Sequence, residues 1–138
     1  MKKLVSILVC LSLVIFGCYG EASAAEQPYT DMISSPYVGY GQSTISAHSA
    51  SSETHVNYSV NTGVEAHLYY IIDYYTTPRS ALWNNSSGGD GWSKVYYSLS
   101  NDDLCDYIWA NHHYVGPGSQ NVPGYTETHF IPLITLYR

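Results

Sequence analysis

Asp103-Leu104-Cys105-Asp106-Tyr107-Ile108-Trp109-Ala110-Asn111-His112-His113-Tyr114 decides the fold. Ser100-Asn101-Asp102 precedes it, a cluster of turn formers. From Tyr107 to Val115 the residues are mostly aromatic, β-branched or small, as a central strand prefers. The stretch reads as a tight corner feeding one long strand. Its spacing of Asp103, Cys105 and Tyr107 follows an acid, small residue, tyrosine pattern. In Greek-key sandwiches a tyrosine at this point returns its hydroxyl to the backbone just upstream and locks the crossover between sheets. Trp109 stands where antibody domains carry a disulfide cysteine, and is predicted to fill the core with a ring.

Outward from this corner the chain is punctuated by turn signals. Strands are predicted over 43–49, 53–60, 65–75, 81–83, 92–99, 107–115 and 125–131, with a continuation over 133–137. Asn61-Thr62-Gly63, the Gly/Ser/Asn-rich 84–91 and the Pro/Gly-rich 116–124 separate them. No stretch holds a 3.6-residue period. About seven short strands with turns between them predict an all-β immunoglobulin-like sandwich of antiparallel strands.

The amino terminus reads as an address rather than as part of the fold. Lys2 and Lys3 precede an apolar run from Leu4 to Phe16, and Ala22-Ser23-Ala24 is a small-residue cleavage site. The run is shorter than the roughly 20 residues a membrane-spanning helix needs. The expectation is a signal peptide over 1–25, cleaved near Ala24 or Ala25, a lead-in over 26–42, and a sandwich over 43–138. A competing reading lipidates Cys18, but bulky Phe16 sits two residues before it, where small residues are usual. The mature chain is then a secreted protein with no integral membrane segment. Ten acids face three bases in it, Arg79, Lys94 and Arg138, for a formal charge of about −7. That balance argues against nucleic acid as a partner, because such binders need a basic footprint. Cys105 is the one cysteine left, so no internal disulfide forms; a buried hydrophobic role is expected for it.

From Ser43 to His129 the layout resembles a group of small uncharacterised secreted all-β proteins of Gram-positive bacteria. The parts that carry the resemblance are Gly88-Gly89-Asp90-Gly91, Tyr107, His113 and Gly124-Tyr125-Thr126-Glu127. It implies a fold and export, and no activity. This chain departs by having more Tyr and Trp and less Ser and Lys.

No enzyme is predicted. There is no G-x-S-x-G elbow, and Ser87 and Asp90 share a loop too loose to hold a base against a nucleophile. Glu-x-His recurs at Glu53/His55, Glu65/His67 and Glu127/His129, two residues apart and so on one face of a strand. Pairs on separate strands do not by themselves converge on a metal, and no metal or cofactor is expected. Asp103, Cys105, Tyr107, Trp109, His113 and Glu127 are assigned structural roles, with Glu127 partnering a half-buried His113. If Leu68 and Trp109 point inward, the opposite face of the two long strands carries His67, Tyr69, Ile71, Ile108, Ala110, His112 and Tyr114. Tyr and His on a rigid sheet offer large contact area at small entropy cost. The expectation is a non-enzymatic module that uses this face to bind an extracellular glycan or protein, or to self-associate. The alternative is a bacteriocin-like secreted antagonist.

Overall fold

The computed structural model describes residues 26–72 and 79–130. Expectations for the signal peptide, for 73–78 and for the strand past Phe130 lie outside them. Among the described residues no helix is long and apolar enough to cross a membrane.

Eight strands among the described residues form two antiparallel sheets that pack as a sandwich. They are β1 (Tyr29–Ser34), β2 (Tyr37–Ile45), β3 (Ser49–Val56), β4 (Thr62–Ile71), β5 (Arg79–Gly88), β6 (Trp92–Ser98), β7 (Leu104–Val115) and β8 (Asn121–His129). The first sheet has the order β1-β2-β3-β6, the second β5-β4-β7-β8. The segment read as a lead-in is therefore largely a hairpin, β1–β2. The segment 84–91, read as a loop, is mostly the second half of β5.

Period-two alternation sorts the side chains. In β6, Ser93, Val95 and Tyr97 are buried while Trp92, Lys94, Tyr96 and Ser98 face out. In β4, Val64, Ala66 and Leu68 are buried. β7 breaks the rule once. Tyr69 of β4 pairs with Tyr107, but Tyr70 pairs with Cys105, so Asp106 is an extra residue. This β-bulge turns the strand over. Cys105 is buried before it, and Ile108, Ala110, His112 and Tyr114 are buried after it. The face expected for β7 is thus inverted: Trp109, Tyr107 and His113 point outward. Tyr107 points outward, and among the described residues other bonds hold the corner. His48 Nδ1 bonds the Asp103 carbonyl at 2.8 Å, Cys105 N–H donates to the Ala47 carbonyl, and Ser100 Oγ donates to the Asp103 carboxylate.

The core has two apolar clusters. One joins Leu68, Val95, Tyr97, Cys105, Ile108 and their neighbours; the other joins Met32, Val56 and Tyr114. His112 lies between them on β7, at the centre of a buried polar relay. Thr54 Oγ1 donates to the Gly63 carbonyl at 2.9 Å, which uses its only proton. It must therefore accept from His112 Nδ1, 3.0 Å away. The neutral ring then accepts at Nε2 from Thr126, 2.8 Å away. Thr126 in turn accepts from Ser43 at 2.5 Å, and Ser43 from Ser52 at 2.6 Å. One carbonyl thus fixes the direction of every proton from Ser52 to Gly63, and the relay ties both sheets together. Gly41 makes room for it: a Cβ there would sit 2.5 Å from His112 Cγ. Other polar pins across the sandwich are Tyr97 to the Ala66 carbonyl at 2.6 Å, Thr62 to Ser93 at 2.6 Å, and Tyr114 to the Met32 carbonyl at 3.1 Å.

Burial, reinforced by the neighbouring His113 and partly opposed by a backbone hydrogen bond at Glu53, lowers the His112 pKa from 6.5 to about 4. The unfolded chain therefore binds the extra proton first as pH falls. Stability from this group is complete above pH 6.5 and is lost between there and about pH 4. The shift corresponds to about 3 kcal/mol. Urea midpoints should drop steeply across that window in the wild type and much less in His112→Gln, whose own midpoint at neutral pH is lower; equal slopes would discount the relay. Gly41→Ala should cost about 1–3 kcal/mol by overpacking against the imidazole, read as a lowered melting temperature.

Candidate functional site

The outer face of β5-β4-β7-β8 is built from cross-strand rows. Register sets Trp83, His67, Trp109 and Glu127 side by side, and beside them Ala81, Tyr69, Tyr107 and His129. The rings fill the roughly 4.8 Å between strands by stacking. His67 lies on Trp109 with centroids 4.3 Å apart and planes 9° apart, and Trp83 meets His67 edge-on at 4.1 Å. Tyr69 lies on Tyr107 at 4.5 Å and 8°, and Tyr107 on His129 at 5.0 Å. Tyr107 thus has both π faces covered. Trp83, 55 % exposed, and Tyr125, 40 % exposed, flank the rows.

Glu127 anchors the β8 end. Its carboxylate accepts from the Tyr125 hydroxyl at 2.7 Å and meets His129 Nε2 at 3.0 Å. Those two bonds hold the carboxyl below its ordinary range against partial desolvation. His67 Nε2 is buried and has no hydrogen-bond partner among the described residues. Two rows beyond Trp109, His113 stands opposite Gly63, whose missing side chain leaves the space the imidazole fills. An open cleft of 380 Å³ adjoins it, lined by Asn61, Ser87 and His113 among others. The outer face of the first sheet carries a looser row, with Tyr40 and His55 5.3 Å apart and Tyr29 and Tyr40 5.5 Å apart.

Of the expected binding residues, His67 and Tyr69 lie on this face, and Ile71 is half-buried at the end of β4. Ile108, His112 and Tyr114 are at most 1 % exposed and cannot touch a ligand. The bulge is the reason. Of the residues assigned structural roles, Asp103 accepts in the corner turn and Cys105 is buried, its thiol pushed up to about 11 by desolvation. Tyr107 and Trp109 join the exposed rows instead of the core. His113 does not pair with Glu127, which is committed to Tyr125 and His129. Trp83, Tyr125 and His129 belong to the site and are not among the binding residues expected from sequence. Their signal was positional: each lies on the same parity as His67 once the strands are in register.

No protein-family model, curated protein or solved structure matches this chain.

The face offers ring edges, phenol hydroxyls, imidazole nitrogens and the carboxylates of Glu65 and Glu127. A hydroxyl beside a base, the arrangement that activates a nucleophile, does occur at Thr126 and His112, but these are 0 % and 1 % exposed. No substrate reaches them. Among the described residues no group of three or more His, Cys, Asp or Glu side chains is arranged to hold a metal ion.

Trp109 is half-buried among its row partners and Trp83 is largely exposed, so their removal should differ. Trp109→Ala should cost about 1–3 kcal/mol and Trp83→Ala under about 1 kcal/mol. Chemical denaturation of the two variants checks this; a Trp83 variant as damaged as the Trp109 variant would mean the rows stand or fall as one unit.

Proposed function

We propose that this chain is an exported, non-enzymatic binding module whose ligand-facing surface is the outer face of β5-β4-β7-β8. The observation that carries the reading is the double row of stacked, half-buried rings on this outer face, with exposed Trp83 and Tyr125 at its margins. Solvated sheet faces do not need aromatic side chains in register on four strands, whereas interfaces concentrate Trp and Tyr because these rings give area at low entropic cost. Export is supported by Lys2-Lys3, the apolar run to Phe16 and Ala22-Ser23-Ala24. The absence of catalysis is supported by where reactive groups sit. His112 and Cys105 are sealed in the core, and His129 is committed to Glu127.

The immunoglobulin-like type is supported by strand order. β2-β3-β6 and β5-β4-β7-β8 take the places of A-B-E and C′-C-F-G, with β1 added outside. Among the described residues the tyrosine corner and the inter-sheet disulfide of antibody domains have no counterpart.

Ring geometry favours a protein partner over a glycan. Sugars stack on free π faces, and Tyr107, Tyr69, His67 and Trp109 spend faces on one another. What those four leave open are edges and polar tips, which with the exposed Trp83 and Tyr125 beside them suit side chains of a protein surface. Co-sedimentation with isolated Gram-positive cell walls, untreated and protease-treated, tests the reading alongside a Trp83→Ala/Tyr125→Ala variant. Sedimentation that is lost on protease treatment and lost in the variant is expected. Binding that survives protease turns the ligand into a glycan; a variant that sediments like the wild type removes this face as the site.

A further inference from the structure

The two flanks of the sandwich are finished differently. On the β8 flank the chain itself seals the edge. Gln27 N–H donates to the Glu127 carbonyl and Glu127 N–H to the Gln27 carbonyl, both at 2.8 Å, and Ser43 N–H donates to the Pro28 carbonyl at 2.9 Å. Residues 27–28 thus bridge from the edge of the second sheet to the first. β8 also contains Pro123, which has no N–H to offer. In the first sheet, edge strand β1 has six residues and a charge at Asp31, and edge strand β6 has seven and a charge at Lys94. Short length, charge, proline and covering segments are the usual defences against edge-to-edge pairing.

β5 has almost none of them among the described residues: its one charged residue, Arg79, is its first. It runs ten residues, pairs with β4 along its length and has no strand on its other side. From Ser80 to Gly88 it holds no charged residue and no proline. Leu82 is 37 % exposed and Trp83 is 55 % exposed, one on each face of the strand.

We propose that β5 is the interface for a second copy of this chain, paired antiparallel about a twofold axis at Asn84. Each copy is strongly acidic, so like copies repel at most surfaces. An uncharged strand lets them meet without like charges opposed. Asn84 is the midpoint of the uncharged run from Ser80 to Gly88, so pairing about it lays that whole run against its equivalent. Pairing about a residue also keeps outer faces on the same side, because facing residues of two strands share a face. Trp83 then lies diagonal to its equivalent, within reach of an aromatic ring. The result is a continuous eight-stranded sheet with the ring rows of both copies on one side.

Sedimentation equilibrium of the purified protein, from micromolar to near-millimolar concentration, tests this with Asn84→Lys and Asn84→Asp. Asn84 is exposed, and urea midpoints close to that of the wild type establish that both variants fold. The wild type should dimerise. Each variant alone should be monomeric, since like charges then face each other across the axis, and an equimolar mixture should regain the dimer. A monomeric wild type overturns the proposal and leaves the edge to an extended segment of a different protein. Variants that dimerise like the wild type overturn it as well, and a mixture that stays monomeric overturns the register.

Discussion

Asp106, the one extra residue in β7, determines which side chains this sandwich has available for its core. Before it, Leu104 and Cys105 close the corner against the first sheet. After it, the strand is turned over, so Ile108, Ala110, His112 and Tyr114 enter the core while Tyr107, Trp109 and His113 leave it. Without the bulge, a pleat continuing from Cys105 would carry two large rings inward and put a histidine, a tyrosine and an isoleucine in water. A one-residue change of register exchanges the whole set. The polar relay inside and the ring rows outside are two consequences of the same insertion.

The core that results is small and unusually polar for its size. Ser43, Ser52, Thr54, Thr62, Ser93, Thr126 and His112 are all buried. Such groups stabilise only when every donor and acceptor is used, because an unpaired buried one costs about 1–3 kcal/mol. Here the Gly63 carbonyl sets a direction that satisfies each hydroxyl from Ser52 to Thr54 in turn, and Thr62 and Ser93 pair with each other. The relay then does what apolar packing alone does not: it fixes the register of one sheet on the other. Apolar contacts tolerate a slide, whereas a chain of bonds from Ser52 to Gly63 has one arrangement. The same logic explains the inward face of β2, where Gly39 and Gly41 leave room for Tyr114 and His112.

Much of the architecture was legible in the sequence, and what was not has specific physical causes. The turn clusters and the alternation in Trp92–Leu99 placed most strands within a few residues. The β1–β2 hairpin was hidden because glycines in a strand look like breakers. Here they are sites where a side chain from the facing sheet fills the space. β5 was hidden because Asn84-Asn85-Ser86-Ser87 has the composition of a loop, and an edge strand with little burial places little demand on its residues. The site was half-legible. His67 and Tyr69 were found because β4 keeps its parity, and the β7 residues were inverted because a bulge leaves no mark in hydrophobic periodicity. Only the pairing of Tyr70 with Cys105 reveals it.

Rows of stacked rings and an open edge are linked by more than their shared sheet. A ring in the middle of a row is held on both sides, as Tyr107 is by Tyr69 and His129. A ring at the end of a row is held on one. At the β8 end Glu127 supplies the missing support by binding Tyr125 and His129. At the β5 end nothing comparable holds Trp83 among the described residues, where its ring meets only that of His67, at right angles. The row is therefore anchored at one margin and unfinished at the other, and the unfinished margin is also the strand with unpaired backbone groups. Both deficits are met by the same event, a strand added beside β5, which supplies hydrogen bonds to the edge and a neighbour to Trp83.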